Sequence, residues 1–159
     1  ERNRRAGPEN ISAIVGFGKA AEIAKKTMQE RMSQEQMLRD YFISHVLGEI
    51  AQTSLNGATK ADRLPNNCNI AFAYTEAESV LIMLDMEGIC ASAGSACTTG
   101  SIEPSHVLLA TGQSEEEVRS ALRFTISDTT TKEELDETIL ALKKIVSQFR
   151  SVSALFEEE

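Results

Sequence analysis

The chain has no tryptophan, only two tyrosines and three prolines, and only three cysteines in 159 residues. No Cys-x-x-Cys pair occurs, so neither a disulfide framework nor a paired-thiolate metal site is indicated, and the cysteines read as free thiols of a reducing compartment, the cytoplasm. No apolar run approaches the roughly 20 residues that span a bilayer. A basic start followed by an apolar stretch, the mark of a signal peptide, is also missing. Positive charge is scarce: 16 Lys and Arg stand against 24 Asp and Glu, a net charge of -8. Such a surface repels phosphate, which argues against nucleic acid and anionic membrane as partners. An initiating Met is absent as well. The chain opens Glu1-Arg2-Asn3-Arg4-Arg5-Ala6-Gly7-Pro8 and closes Leu155-Phe156-Glu157-Glu158-Glu159, and a piece of a longer protein is expected.

What remains is ordinary for one soluble domain with a real core: 42% hydrophobic and 25% charged residues. The hydrophobic pattern divides it. Residues 13–51 read as helical, capped near Ser12, with Leu38, Tyr41, Phe42 and Val46 on one face and Ile43, Leu47 and Ile50 beside it. Ser33 marks either a bend between two helices or nothing. Asn56-Gly57 is a turn signal and Leu64-Pro65-Asn66-Asn67 a loop. Cys68 to Tyr74 alternates as a strand, Glu76 to Glu87 reads as a helix ended by Gly88, and Ile89 to Ser92 as a short buried strand. Pro104 suits the first turn of a short helix ended by Gly112, and Ser114 starts another, with carboxylates at its positive end. Leu122, Phe124 and Ile126 alternate with Arg123, Thr125 and Ser127. Thr131-Lys132-Glu133-Glu134 is a capping box for a last helix lined by Leu135, Ile139, Leu142, Val146 and Phe149. Residues 1–12 then form a bridge into the domain, 52–150 an α/β unit and 151–159 a tail. The expected fold is α+β, a small sheet of about three to four strands packed against long helices.

The chemistry centres on one thiol. Cys97 lies in Ala93-Gly94-Ser95-Ala96-Cys97-Thr98-Thr99-Gly100-Ser101, among small uncharged residues that cannot bury it deeply, so it reads as a presented nucleophile or as an idle loop thiol. Cys68 and Cys90 fall within expected strands and read as buried small hydrophobes. A zinc site from Cys90, Cys97 and His106 would lack close ligand pairs and a fourth ligand. Pairing of Cys97 with His106 is possible but unreadable from spacing. Arg123 projects to the polar side of its strand, as a solvated arginine or as a clamp for a carboxylate. Arg2, Arg4 and Arg5 could hold a phosphate or a partner, or be solvated.

The phrases Arg5-Ala6-Gly7 with Glu9-Asn10-Ile11, Leu64-Pro65-Asn66-Asn67, Glu78-Ser79-Val80-Leu81, Ser92-Ala93-Gly94-Ser95-Ala96-Cys97-Thr98, Glu103-Pro104-Ser105-His106-Val107-Leu108 and Leu122-Arg123-Phe124 occur together. In this order and spacing they resemble the C-terminal part of the NifS/IscS-type cysteine desulfurases, in the group with the longer active-site loop. These are pyridoxal-phosphate enzymes of the fold-type I class. The resemblance implies that Cys97 is the catalytic cysteine, taking sulfur from L-cysteine as a persulfide and releasing L-alanine. It implies that Arg123 binds the substrate carboxylate, that the sulfur goes to an iron–sulfur scaffold or another acceptor, and that the enzyme is a homodimer. Two departures stand out. Pro8 replaces the Thr that commonly contacts the cofactor phosphate, and Asp128 stands where some relatives are basic. The family's cofactor lysine follows a histidine, and no His-Lys pair occurs here: Val46 follows His45 and Val107 follows His106. No cofactor binding is therefore expected of the chain by itself. A cofactor-free persulfide relay or a selenocysteine lyase relative are the alternatives.

Overall fold

The structure, a computed structural model, describes residues 7–59, 63–93 and 104–153. Its first element is one uninterrupted helix, α1 (Ile11–Glu49), of 39 residues. Asn10, not Ser12, caps it, its side chain accepting from the Ala13 N–H at 3.1 Å. Ser33 makes no break: the helix runs through it, and its hydroxyl donates to the Gln29 carbonyl one turn back at 2.9 Å. Phe17, Ala21, Ala24, Met28, Arg31, Glu35, Leu38 and Phe42 recur at alternating spacings of four and three, which lays them along one face. The lower part of that face, with Phe42 and Val46, is core. The upper part is bare: Phe17 is 78% and Met28 56% exposed.

After α1 come β1 (Thr53–Leu55), β2 (Asn67–Phe72), α2 (Ala77–Met86), β3 (Ser92–Ala93), α3 (His106–Ala110), α4 (Glu115–Arg119), β4 (Ala121–Thr125) and α5 (Lys132–Val152). The four strands form one antiparallel sheet in the order β1-β2-β4-β3. Alternation sorts its side chains. Cys68, Ile70, Phe72, Leu122 and Phe124 join Phe42, Val46, Val80, Leu84, Ile139, Leu142, Ile145 and Val146 in one core, which α1, α2 and α5 close from the helical side. Asn67, Asn69, Arg123 and Ser92 alternate with those residues and remain half-buried on the other face.

The capping box at Thr131–Glu134 forms as the sequence indicates, and Ser114–Glu117 forms a second one. Four further expectations are corrected. The third strand is Ser92–Ala93, not Ile89 to Ser92, and Cys90 precedes it, exposed. Gly88 (φ 77) ends α2, and the Ile89 N–H still bonds back to the Leu84 carbonyl at 2.9 Å, so the chain reaches the sheet only at Ser92. Tyr74 lies beyond β2 in a left-handed turn (φ 63). Pro104 precedes α3, whose cap is Ser105. Finally, Asn67 opens β2 and does not belong to the loop before it.

Two buried arginines hold the loops. Arg39, 1% exposed, donates to the Leu64 carbonyl at 2.8 Å and to Asp40 at 2.7 and 2.9 Å. Arg150, 6% exposed, donates to the carbonyls of Ala51 (2.8 Å), Ala73 (3.0 Å) and Gln52 (3.1 Å). It thereby clamps the two turns that contain the positive-φ residues Gln52 and Tyr74. Arg150→Ala leaves three carbonyls without this donor and is expected to lower stability by about 3–4 kcal/mol. Arg150→Lys should recover less than half of this, because an ammonium lacks the planar fork. Urea unfolding of the three proteins measures both, and a loss below about 1 kcal/mol for Arg150→Ala would refute the clamp.

Asp128 does not charge the sheet's open face. It pairs with Arg31 at 2.5 Å, and its carbonyl accepts from Gln34 at 3.2 Å, tying α1 to the loop before α5. Among the described residues no helix is long and apolar enough to cross a membrane. The bare stripe on α1 is expected to make this chain self-associate; light scattering over a wide concentration range checks this, and a monomer throughout would contradict it.

Candidate functional site

The open face of the sheet carries a polar row. Arg123, at the middle of β4, is directly opposite Asn69 on β2 and Ser92 on β3. Residues so paired project from the same face. Asn56, one residue beyond β1, extends the row: its backbone N–H donates to the Asn69 carbonyl at 2.9 Å, and its side-chain Nδ2 donates to Asn69 Oδ1 at 2.8 Å. The row borders a cleft of about 340 Å³, lined by Asn56, Gly57, Ala58, Arg63, Asn67, Asn69, Ser105, Val107, Leu108, Thr111 and Arg123.

Among the described residues that lining contains two arginines and no carboxylate, in a chain of net charge -8. The two guanidinium groups differ in what they can still do. Arg63 is bound into the wall, donating to the carbonyls of Ala58 at 2.8 Å, Asn67 at 3.3 Å and Asn56. Burial draws its pKa below the usual arginine value, which leaves it a cation. Gly57 (φ 82) lets the loop turn beside it, and a Cβ there would stand 3.5 Å from the Arg63 guanidinium. The Arg123 side chain has no hydrogen bond or ion pair to another described residue. Its planar fork therefore faces the cleft as a donor set suited to a carboxylate or similar anion.

Cys97 lies outside the described residues, as do Arg2, Arg4 and Arg5. The two points between which its segment runs are described. Ala93 follows Ser92, the residue opposite Arg123, and Ser105 lines the cleft. The other two thiols lie elsewhere. Cys68 is fully buried in the core, and that burial pushes its thiol up to about 12, so it stays protonated and inert at neutral pH. Cys90 is exposed and borders a groove with Phe42, Phe124 and α5, on the helical side of the sheet. His106 opens α3, exposed, and is not part of the cleft lining. Pro8 is exposed ahead of the Asn10 cap. Among the described residues no group of three or more His, Cys, Asp or Glu could hold a metal.

Sequence reasoning singled out Arg123 as a candidate but not Asn69 or Asn56, which share its face and cleft. Asn69 alternates with buried Cys68 and Ile70, and that pattern could have placed it on Arg123's face. Asn56 reads only as half of a turn, because its pairing with Asn69 depends on the register of β1, which the sequence does not announce.

The aminotransferase class-V family profile matches residues 1–138. The chain is 45% identical over 158 residues to a protein named cysteine desulfurase IscS from Dictyoglomus turgidum, covering 99% of this chain and 40% of that protein. It is 43% identical over 153 residues to cysteine desulfurase NifS of Azotobacter vinelandii, covering 96% of this chain and 38% of that one. The crystal structure of a NifS-like protein from Rickettsia africae superposes with a TM-score of 0.74 at 30% identity, over 90% of this chain and 36% of that chain. The chain thus spans about two fifths of the length of the curated relatives it matches.

Proposed function

Because the chain belongs to the aminotransferase class-V family, we propose that it is the catalytic-cysteine part of a cysteine desulfurase, with Cys97 as sulfur acceptor and Arg123 as the carboxylate anchor for L-cysteine. The observation that supports this best is the cleft without a carboxylate among its described residues, with Arg123 unpaired among them on its wall and Ser105 on its rim. Cys97 follows Ala93 by four positions in the sequence, and Ala93 is next to Ser92, the residue opposite Arg123.

The sulfur transfer balances without an external oxidant. The substrate C–S bond breaks and a sulfur–sulfur bond forms on Cys97, while a proton replaces sulfur on the departing L-alanine. Cys97 attacks as a thiolate, and an ordinary thiol with a pKa of about 8.5 supplies only a minor fraction of that form at pH 7. Arg123 fixes the carboxylate and so aims the substrate sulfur.

Pyridoxal phosphate, when bound in the whole enzyme, supplies the electron sink that loosens the C–S bond. The described residues of this chain do not fit it. Among the described residues, Lys19, Lys25 and Lys26 lie on α1, and Lys132, Lys143 and Lys144 on α5, and none of these lines the cleft; Lys60 lies outside the described residues. Pro8 offers neither a hydroxyl nor a backbone N–H to a phosphate. We therefore assign cofactor attachment to the part of the whole protein outside this chain, and this chain by itself is inactive. The persulfide then passes to an iron–sulfur scaffold or another acceptor, with a cytoplasmic homodimer as the working unit. A cofactor-free relay would leave the fork of Arg123 without a ligand.

The test is to treat the complete enzyme with L-cysteine, alkylate it and weigh the cysteine peptides. Extra sulfur is expected on the Cys97 peptide alone. Sulfur on exposed Cys90 instead would overturn the assignment.

A further inference from the structure

We propose that Asn69 shares the ligand's carboxylate with Arg123, its amide held in the required orientation by buried Asn56; this rests on the reading of Arg123 as the carboxylate anchor. Asn69 is opposite Arg123 across β2 and β4, on the same face, and both line the cleft. Asn56 is 3% exposed and fixed from three directions. Its N–H donates to the Asn69 carbonyl at 2.9 Å, its carbonyl accepts from Arg63, and its Nδ2 donates to Asn69 Oδ1 at 2.8 Å.

The last bond decides what Asn69 presents. With its acceptor oxygen engaged by Asn56, the amide turns its Nδ2, a pure donor, toward the cleft. That nitrogen has no hydrogen bond to another described residue. Guanidinium and amide donors then stand side by side with no described acceptor engaging either. A carboxylate offers about four lone-pair sites on two oxygens, enough for the Arg123 fork and one more donor. A carboxamide of the same shape would turn its own N–H groups against these donors. Asn69 is thus a specificity residue for the anion, and Asn56 is the residue that positions it.

The chain, labelled with ¹⁵N, is titrated with L-alanine while the Arg123 Nε–Hε signal is followed, with L-alaninamide as the neutral-group control. The signal is expected to move with L-alanine and not with L-alaninamide. Asn69→Ala, on the open face of the sheet, should weaken the response about tenfold, and Asn69→Ser, which keeps a hydroxyl donor, should fall between. Asn69→Asp should move the signal before any ligand is added, by pairing internally with Arg123, and abolish the response. Asn56→Ala frees the amide to rotate and should lower the preference for L-alanine over L-alaninamide, which a general loosening of the fold does not do. Unchanged affinity in both Asn69→Ala and Asn69→Ser, with the signal still moving, overturns the role of Asn69 and leaves Arg123 as anchor. No movement in the unsubstituted chain overturns the Arg123 reading and this proposal with it.

Discussion

Replacing Cys97 with serine in the complete enzyme is expected to cut L-alanine release by more than about a thousandfold while leaving KM for L-cysteine nearly unchanged. The substitution changes one atom, and a hydroxyl is far less acidic than a thiol and is a poor acceptor of sulfur. Neither remaining cysteine can stand in. Cys68 is packed in the core on the helical side of the sheet, with its thiol held protonated by burial. Cys90 is exposed, but it borders the groove against Phe42 and α5, across the sheet from Arg123. Steady-state alanine release measures the effect. Residual turnover above about a tenth of the original rate would mean that Cys97 is not the acceptor.

Arg123→Ala should lower kcat/KM for L-cysteine by about 10²–10³-fold, mostly through KM. The magnitude follows from two charge-assisted hydrogen bonds, together about 3–4 kcal/mol, at 1.4 kcal/mol per factor of ten. Arg123→Lys should restore part of the loss, since the charge survives but the fork does not. A second measurement separates binding from folding. The Arg123 side chain has no partner among the described residues, so its removal should change unfolding stability by less than about 0.5 kcal/mol. A drop in stability as large as that expected for Arg150→Ala would recast Arg123 as a structural residue. The two arginines thus make opposite predictions from one physical test, namely whether the guanidinium already has its carbonyls.

That test also marks how much of the molecule could be read from its sequence. The last helix was legible because its signals are local: Thr131 and Glu134 close a capping box, and Leu135, Ile139, Leu142 and Val146 recur at helical spacing. The alternation around Arg123 was legible for the same reason. Asn56–Asn69 was not, because it is a contact between strands, and β1 is a three-residue strand defined by its partner more than by its own composition. Cys90 was misplaced because apolar neighbours do not tell whether a chain has yet reached the sheet; the hydrogen bond from Ile89 back into α2 delays it. Arg150 escaped notice because a charged residue near a helix end ordinarily faces water. Its burial depends on two turns far earlier in the chain, at Ala51–Gln52, 99 and 98 residues before it, and at Ala73, 77 residues before it.

The strand order has a consequence for how the polypeptide is made. β3 follows β2 in the chain, yet β4 lies between them in the sheet. A ribosome that has finished β3 has therefore produced two strands that cannot bond to one another. The inner edge of β2 waits, unpaired, until residues Ala121–Thr125 arrive about fifty residues after its end, some 3–10 s at ordinary rates of translation. During that interval the sticky edge of Asn67–Phe72 is open to any neighbouring chain, and its protection falls to speed of synthesis or to a chaperone. Closure comes later still, when Arg150 emerges and fastens the Ala51–Gln52 turn, made 99 and 98 residues before it.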